Sequence, residues 1–173
     1  MLGLLVQAGV SGCNGDADDE TLPPGTTVLI QPAGREFRLG SELRDAAGNC
    51  QYGVVFQDIP VLVSVLRSDG AQISEAPLRF ALDFSGNTFT GQPVLQLYDD
   101  RNGNGIAEPG ELVSDFDDPL YRTRTEAFSG EKLMLVRVDL ACTFEGTLTV
   151  VSGAFLSEMT IQVTLGGGAG GTP

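Results

Sequence analysis

The chain has 173 residues, with 23 Asp and Glu against 10 Lys and Arg and a formal net charge of −13. That balance argues against nucleic acid as a partner, because phosphate binding requires clustered Lys and Arg, and it disfavours direct electrostatic attachment to anionic lipid. With no His, and only three scattered cysteines, Ser-His-Asp and Cys-His catalysis, His-dependent zinc sites and a four-thiolate zinc site are all excluded.

Hydrophobic residues make up 42% of the chain, enough for one domain with a real core. The 23 Gly and 9 Pro suit a turn-rich β-protein better than a helical one. No apolar run approaches the ~20 residues of a membrane-spanning helix.

In chain order, residues 1–12 are uncharged and largely apolar, and Cys13 follows. Asn14 to Glu20 is polar and acidic, so residues 13–25 read as a tether that does not fold alone. Val10-Ser11-Gly12-Cys13 resembles the lipobox of bacterial lipoproteins. That resemblance implies cleavage before Cys13, a lipid anchor on Cys13 and attachment to a membrane through it. The alternative is an ordinary apolar strand or helix, kept on the mature chain.

Residues 26–165 read as the folded domain. Ten strands are predicted at 27–31, 35–39, 52–57, 59–67, 77–84, 93–98, 120–127, 131–140, 144–151 and 154–165. Period-2 alternation carries most of them. Leu78, Phe80, Leu82 and Phe84 alternate with Arg79, Ala81 and Asp83. Tyr121 to Ala127 alternates with Arg122, Arg124 and Glu126, and Ile161, Val163 and Leu165 alternate with polar residues. Ile59–Leu66 and Leu133–Val138 are more continuously apolar, as strands covered on both faces would be. Turn signals punctuate them at Pro23-Pro24-Gly25, Ala47-Gly48-Asn49, Ser68-Asp69-Gly70, Ser85-Gly86-Asn87, Ser129-Gly130 and Ser152-Gly153. Leu43-Arg44-Asp45-Ala46-Ala47 is the best short helical turn, capped by Ser41. Residues 166–173 are Gly-rich, a flexible tail. Short strands at this spacing predict a sandwich or a barrel. Val61 to Phe84, with Ser68-Asp69-Gly70 at its turn, resembles the middle of a bacterial Ig-like domain, which implies an all-β, antiparallel Greek-key sandwich with flexible termini.

If Cys13 carries lipid, Cys50 and Cys142 remain as an even pair. In an exported protein such a pair forms a disulfide; the alternative is two buried free thiols.

Asp99 to Glu111 carries the most chemistry. Oxygen-bearing side chains fall at Asp100, Asn102 and Asn104, then Gly105, then Glu111, which completes the D-x-[DN]-x-[DN]-G-x5-E pattern. Calcium is a hard cation that takes six to eight oxygens. Asp100, Asn102 and Asn104 would supply three, the Ile106 carbonyl a fourth, Glu108 another directly or through water, and Glu111 would close the shell. Gly105 allows the sharp turn because it reaches positive φ without a Cβ clash. Asp115, Asp117 and Asp118 follow as further ligands or as a solvated acidic loop. The alternative is an Asn-Gly turn that binds no metal. The twelve residues resemble the loop of EF-hand proteins. A strand rather than a helix precedes them, so they are more similar to the D-x-N-x-N-G loops between strands of bacterial extracellular β-domains.

Three functions follow as expectations. The first is a calcium-stabilised, lipid-anchored sandwich of the bacterial cell envelope, cell surface or extracellular space, structural or adhesive, with copies of itself or other surface proteins as partners. The second is a filament subunit that exchanges a retained N-terminal strand. The third is an enzyme using paired carboxylates, for which Asp83, Asp139 and Glu145 are the candidates. The shortage of stacking aromatics and the commonness of solvent-facing strand carboxylates make the expectation non-enzymatic.

Overall fold

The computed structural model describes residues 21–85, 94–114 and 120–166. Cys13, residues 1–12, most of the acidic tether, Asp115, Asp117, Asp118, the turn after Ser85 and the Gly-rich tail from 167 lie outside them.

Two five-stranded sheets face one another. The first has the order β1 (Thr27–Gln31), β3 (Phe56–Leu66), β8 (Glu131–Asp139), β5 (Leu95–Tyr98), β6 (Leu112–Ser114). The second has the order β2 (Gly34–Leu39), β10 (Phe155–Leu165), β9 (Phe144–Ser152), β4 (Pro77–Ser85), β7 (Leu120–Arg124). Every pair is antiparallel except β2 with β10. β1 and β2 are consecutive in the chain but edge different sheets, so the chain changes sheet around Pro32. Proline cannot continue the β1 ladder because it has no N–H. The architecture is an all-β sandwich, one of the two forms that the strand pattern predicts.

The inward positions of each strand form one core: Val61, Val63 and Val65 of β3, Phe80 of β4, Leu148 of β9 and Ile161 of β10 are fully buried. Burying each such side chain contributes about 1.5–3 kcal/mol relative to leaving it in water. Gly146 lies where a Cβ would come 2.5 Å from Leu95 Cδ1. The Leu95 side chain of the facing sheet fills the space a Cβ would take, so any larger residue at 146 forces Leu95 to shift.

Several boundaries differ from the sequence expectation. Residues 52–57 and 59–67 are not two strands; β3 begins at Phe56 and runs through Asp58 to Leu66. Asp58 reads as a break, yet its carboxylate is paired across the ladder with Arg137. Pro60 is accommodated because β1 ends at the Gln31↔Leu62 pair, so one side of β3 is an edge there. β7 stops at Arg124 because the Thr125 hydroxyl donates to the Ile73 carbonyl and accepts from Ala76 N–H, which turns the chain. β6 was not anticipated, so the total of ten strands is reached by one merger and one addition. Leu43–Ala47 is not helical. Asp45 Oδ1 accepts from the amides of Ala47 and Asn49, and this side-chain turn wins over the helix. Leu165 is 53% exposed, because β10 runs past Val163↔Phe144, the last pair with β9.

β3 buries one face only: Ile59, Val61, Val63 and Val65 are inside, while Pro60 is exposed and Leu62, Ser64 and Leu66 are half-buried. β8 is covered on both faces from Met134 to Val136. The outer cover is supplied by the loop between β5 and β6, whose Ala107 packs with Leu135 and Tyr98 into a second small core.

Candidate metal site

β5 and β6 pair as a hairpin through Leu97↔Ser114 and Tyr98↔Leu112, with a register shift between Leu97 and Tyr98. Residues 99–111 span the gap. The neck is closed by Asp99 N–H, which donates to the Glu111 carbonyl at 2.8 Å. No helix flanks the loop; a three-residue 3-10 turn, Pro109–Glu111, leads into β6.

Inside the neck, the side chains point back on the loop's own backbone. Asp100 accepts from the amides of Asn104 (3.1 Å) and Gly105 (3.0 Å). Asn102 Oδ1 accepts from Asn104 N–H (2.9 Å), and Asn104 Oδ1 from Ile106 N–H (2.8 Å). Glu108 accepts from the side-chain amides of Asn102 (3.1 Å) and Asn104 (3.2 Å). Glu111 Oε1 accepts from Arg101 N–H at 3.1 Å. Gly103 and Gly105 have φ of 68° and 71°, the left-handed conformation that glycine reaches without cost.

The structure thus links Asp100, Asn102, Asn104 and Glu108 directly, and places Glu111 on the same loop wall through Arg101. Ile106 contributes backbone only, its side chain being 58% exposed. Asp100 and Glu111 are each 6% exposed. Glu111 Oε2 is buried with no hydrogen-bond partner. A buried, unpartnered carboxylate oxygen costs several kcal/mol unless a cation or donor reaches it. Among the described residues no three His, Cys, Asp or Glu side chains converge at metal-binding spacing. The oxygens of this loop are instead a mixture of carboxylates, two amides and a carbonyl, the donor set of a hard cation rather than of zinc.

Two clusters that sequence reading did not single out fix this loop to the first sheet. In one, Lys132 Nζ lies 2.8 Å from Asp99 Oδ1, and Tyr121 donates to Asp99 Oδ2 at 2.9 Å. The ion pair, rather than a well-angled hydrogen bond, satisfies Asp99 Oδ1. Burial pushes the Asp99 carboxyl up, but the bonds from Lys132 and Tyr121 and the charges of Lys132 and Arg101 outweigh it, so its pKa ends below the usual carboxylate value. Lys132 ends above its usual value despite burial, because of Asp99.

In the other, Arg137 makes two bonds to Asp58, at 2.8 and 2.9 Å, and lies between the rings of Phe56 and Tyr98 at 5.2 and 5.1 Å. The Arg137 hydrogen bonds hold the Asp58 carboxyl below its usual range against the opposing effect of burial. A lone arginine in an apolar strand, and a lone aspartate in another, were the available signals.

Of the carboxylates considered for catalysis, Asp139 lies apart from the other two, which are diagonal neighbours on the paired strands β4 and β9. Asp83 and Glu145 are exposed on the second sheet. Asp139 is buried at the end of β8 in the first, accepting from Gly53 N–H at 2.6 Å and Ala141 N–H at 2.8 Å. Cys50 and Cys142 form a disulfide, with 6.0 Å between their Cα atoms.

No protein-family model and no curated protein matches the chain. Among solved structures it is similar to a glycosyl hydrolase family 2 member from Bacteroides cellulosilyticus (TM-score 0.40, 11% identity), covering 80% of this chain and 14% of that one. It is also similar to domains 4 and 5 of the S-layer protein SbsC (TM-score 0.35, 11% identity), covering 80% of this chain and 51% of that one. A conjugative transposon lipoprotein from Bacteroides eggerthii matches with TM-score 0.38 and 12% identity over 80% of this chain and 98% of that one. The chain therefore spans a small part of the first and about half of the second. β-Sandwiches host many unrelated functions, so the functional reading rests on the site.

Proposed function

We propose that this is a calcium-stabilised β-sandwich of the bacterial cell envelope or surface, with a structural or adhesive role and a lipid anchor at Cys13. The observation that carries calcium is the buried Glu111 Oε2 without a partner, at the last position of a loop whose Asp100, Asn102 and Asn104 oxygens accept from its own backbone amides. Asp100, Asn102, Asn104, Glu111 and the Ile106 carbonyl would hold the ion, with Glu108 adding an oxygen directly or through water. Calcium would supply positive charge among carboxylates that the backbone amides only partly neutralise. The Cys50–Cys142 disulfide supports an exported location, since such bonds persist in oxidising compartments.

Calcium that binds only the folded state must raise the melting temperature as its concentration rises, by about 2.7 kcal/mol of stability at a hundredfold excess over Kd. Metal-free protein is melted with increasing calcium and then with chelator. A rise that chelator reverses, and that Asp100→Ala or Glu111→Ala abolishes, is the expected result. No shift at millimolar calcium would sink the reading. Mass spectrometry of the native N-terminus tests the anchor: diacylglycerol on Cys13 is expected, and an intact Met1 would overturn it.

A further inference from the structure

We propose that Arg137 and Asp58, which lie on neighbouring strands outside the loop, are positioning residues for the ion: Asp58 holds the N–H of the peptide that presents the Ile106 carbonyl, and Arg137 holds both Asp58 and the next carbonyl, that of Ala107. This rests on the calcium reading above and adds to it two residues with no place in the loop motif.

The two successive peptide units that meet at Ala107 are each bound by one member of this pair. Ala107 N–H is directed at Asp58 Oδ2, 3.4 Å away, and the Ala107 carbonyl accepts from an Arg137 Nη at 3.1 Å. The N–H of Ala107 and the C=O of Ile106 belong to the same planar trans unit, so they point in opposite directions. Turning that N–H onto the sheet therefore turns the Ile106 oxygen away from the sheet. Both polar groups of Ala107 are thereby satisfied by side chains of β3 and β8, in place of the ladder partner an ordinary strand would have. The Ala107 methyl is buried with Leu135 and Tyr98 and fixes the height of the peptide above the sheet.

The pair itself is hard to displace. Asp58 and Arg137 are direct cross-strand partners in the β3–β8 ladder. The guanidinium makes two parallel bonds to the carboxylate, a fixed geometry that a lysine could not copy. Phe56 and Tyr98 restrict it from either side. The loop therefore docks on a preset platform. A cation bound in the loop would find the Ile106 carbonyl already ordered, and groups that orient ligands in this way commonly change metal affinity about 10–100-fold.

The test compares calcium Kd by titration calorimetry, well below the melting temperature of each protein. The variants are Arg137→Met, which keeps an apolar stem between the two rings, Asp58→Ala and the double variant. Ile161→Val, in the core and remote from the loop, controls for loss of stability alone. Both single variants are expected to bind calcium about tenfold or more weakly, while Ile161→Val stays within about twofold of the parent. The double variant is expected to lose little beyond the weaker single, because the two residues are bonded to each other and hold the same residue, Ala107. Unchanged Kd in Arg137→Met and Asp58→Ala, with Asp100→Ala losing binding, overturns this inference and leaves the calcium reading standing. An equal loss in Ile161→Val also overturns it. Parent protein that binds no calcium overturns both. If Asp58→Ala does not fold, Arg137→Met decides alone.

Discussion

Two irregular segments are clamped to the same strand, β8, by different physics. Residues 40–55 are held at its C-terminal end by the Cys50–Cys142 disulfide and by backbone exchange. Leu43 N–H donates to the Ala141 carbonyl at 2.7 Å and Leu140 N–H to the Val55 carbonyl at 2.9 Å. Residues 99–111 are held along its remaining length by charges and one small apolar contact: Lys132 with Asp99, Arg137 with Asp58, and Ala107 on Leu135. The first clamp is covalent, whereas the second is built of groups whose strength depends on charge and, on the function proposed above, on a cation.

The largest expected effect comes from the covalent clamp. Its cysteines are 92 positions apart. Closing a loop of that length contributes about 4–5 kcal/mol by the chain-entropy model. A Cys50→Ser/Cys142→Ser double variant should lose about that much in urea unfolding, with its calcium-dependent shift intact. If the shift disappears with the disulfide, the two clamps are one unit and the comparison fails.

Next is the buried ion pair at the neck of the 99–111 loop, whose side chains are 11% and 6% exposed for Lys132 and Asp99. Removing one partner of a buried pair leaves an uncompensated charge and costs about 3–5 kcal/mol, toward the lower end here because Tyr121 and Arg101 remain. Lys132→Met should therefore destabilise by about 3 kcal/mol, and Lys132→Met/Asp99→Leu should recover much of the loss. A cost below about 1 kcal/mol for the single variant would mean that the neck is held by its backbone bond alone.

The difference between the clamps also explains what could be read in the sequence. Strands were legible because one face of each packs on the core, which writes a period of two into residues such as Leu78, Phe80 and Leu82. The loop was legible because its spacing is local. Asp58 and Arg137 are separated by 79 positions, and only the register of β3 with β8 joins them. Their pairing has no sequence signature beyond two charges in apolar runs. Leu43–Ala47 misleads because the same Asp that suits a first helical turn also makes the competing Asx turn. The burial of Leu135 on the outer face of its sheet depends on a loop some thirty residues earlier folding over it, which periodicity does not register.

The smallest effect is one of sign, and it separates the clamps most sharply. Burial raises the pKa of Asp139, beside the covalent clamp, and the backbone bonds from Gly53 and Ala141 only partly offset it. The folded protein therefore holds this proton at pH values where the unfolded chain has released it. Its contribution is fully present below the unfolded pKa and is lost as pH rises through the folded one. Asp58, in the charged clamp, has the opposite shift: the hydrogen bonds from Arg137 lower its pKa, so its contribution is present above the unfolded pKa and is lost as pH falls through the folded one. Urea unfolding from about pH 3 to about pH 7, across the carboxylate range, for the parent, Asp139→Asn and Asp58→Asn isolates each group by difference. The stability of the parent relative to Asp139→Asn should decline as pH rises, and its stability relative to Asp58→Asn should increase. Two differences that run in the same direction would mean that Asp139 ionises as freely as a surface carboxylate, and that the covalent clamp does not keep water from its own end of β8.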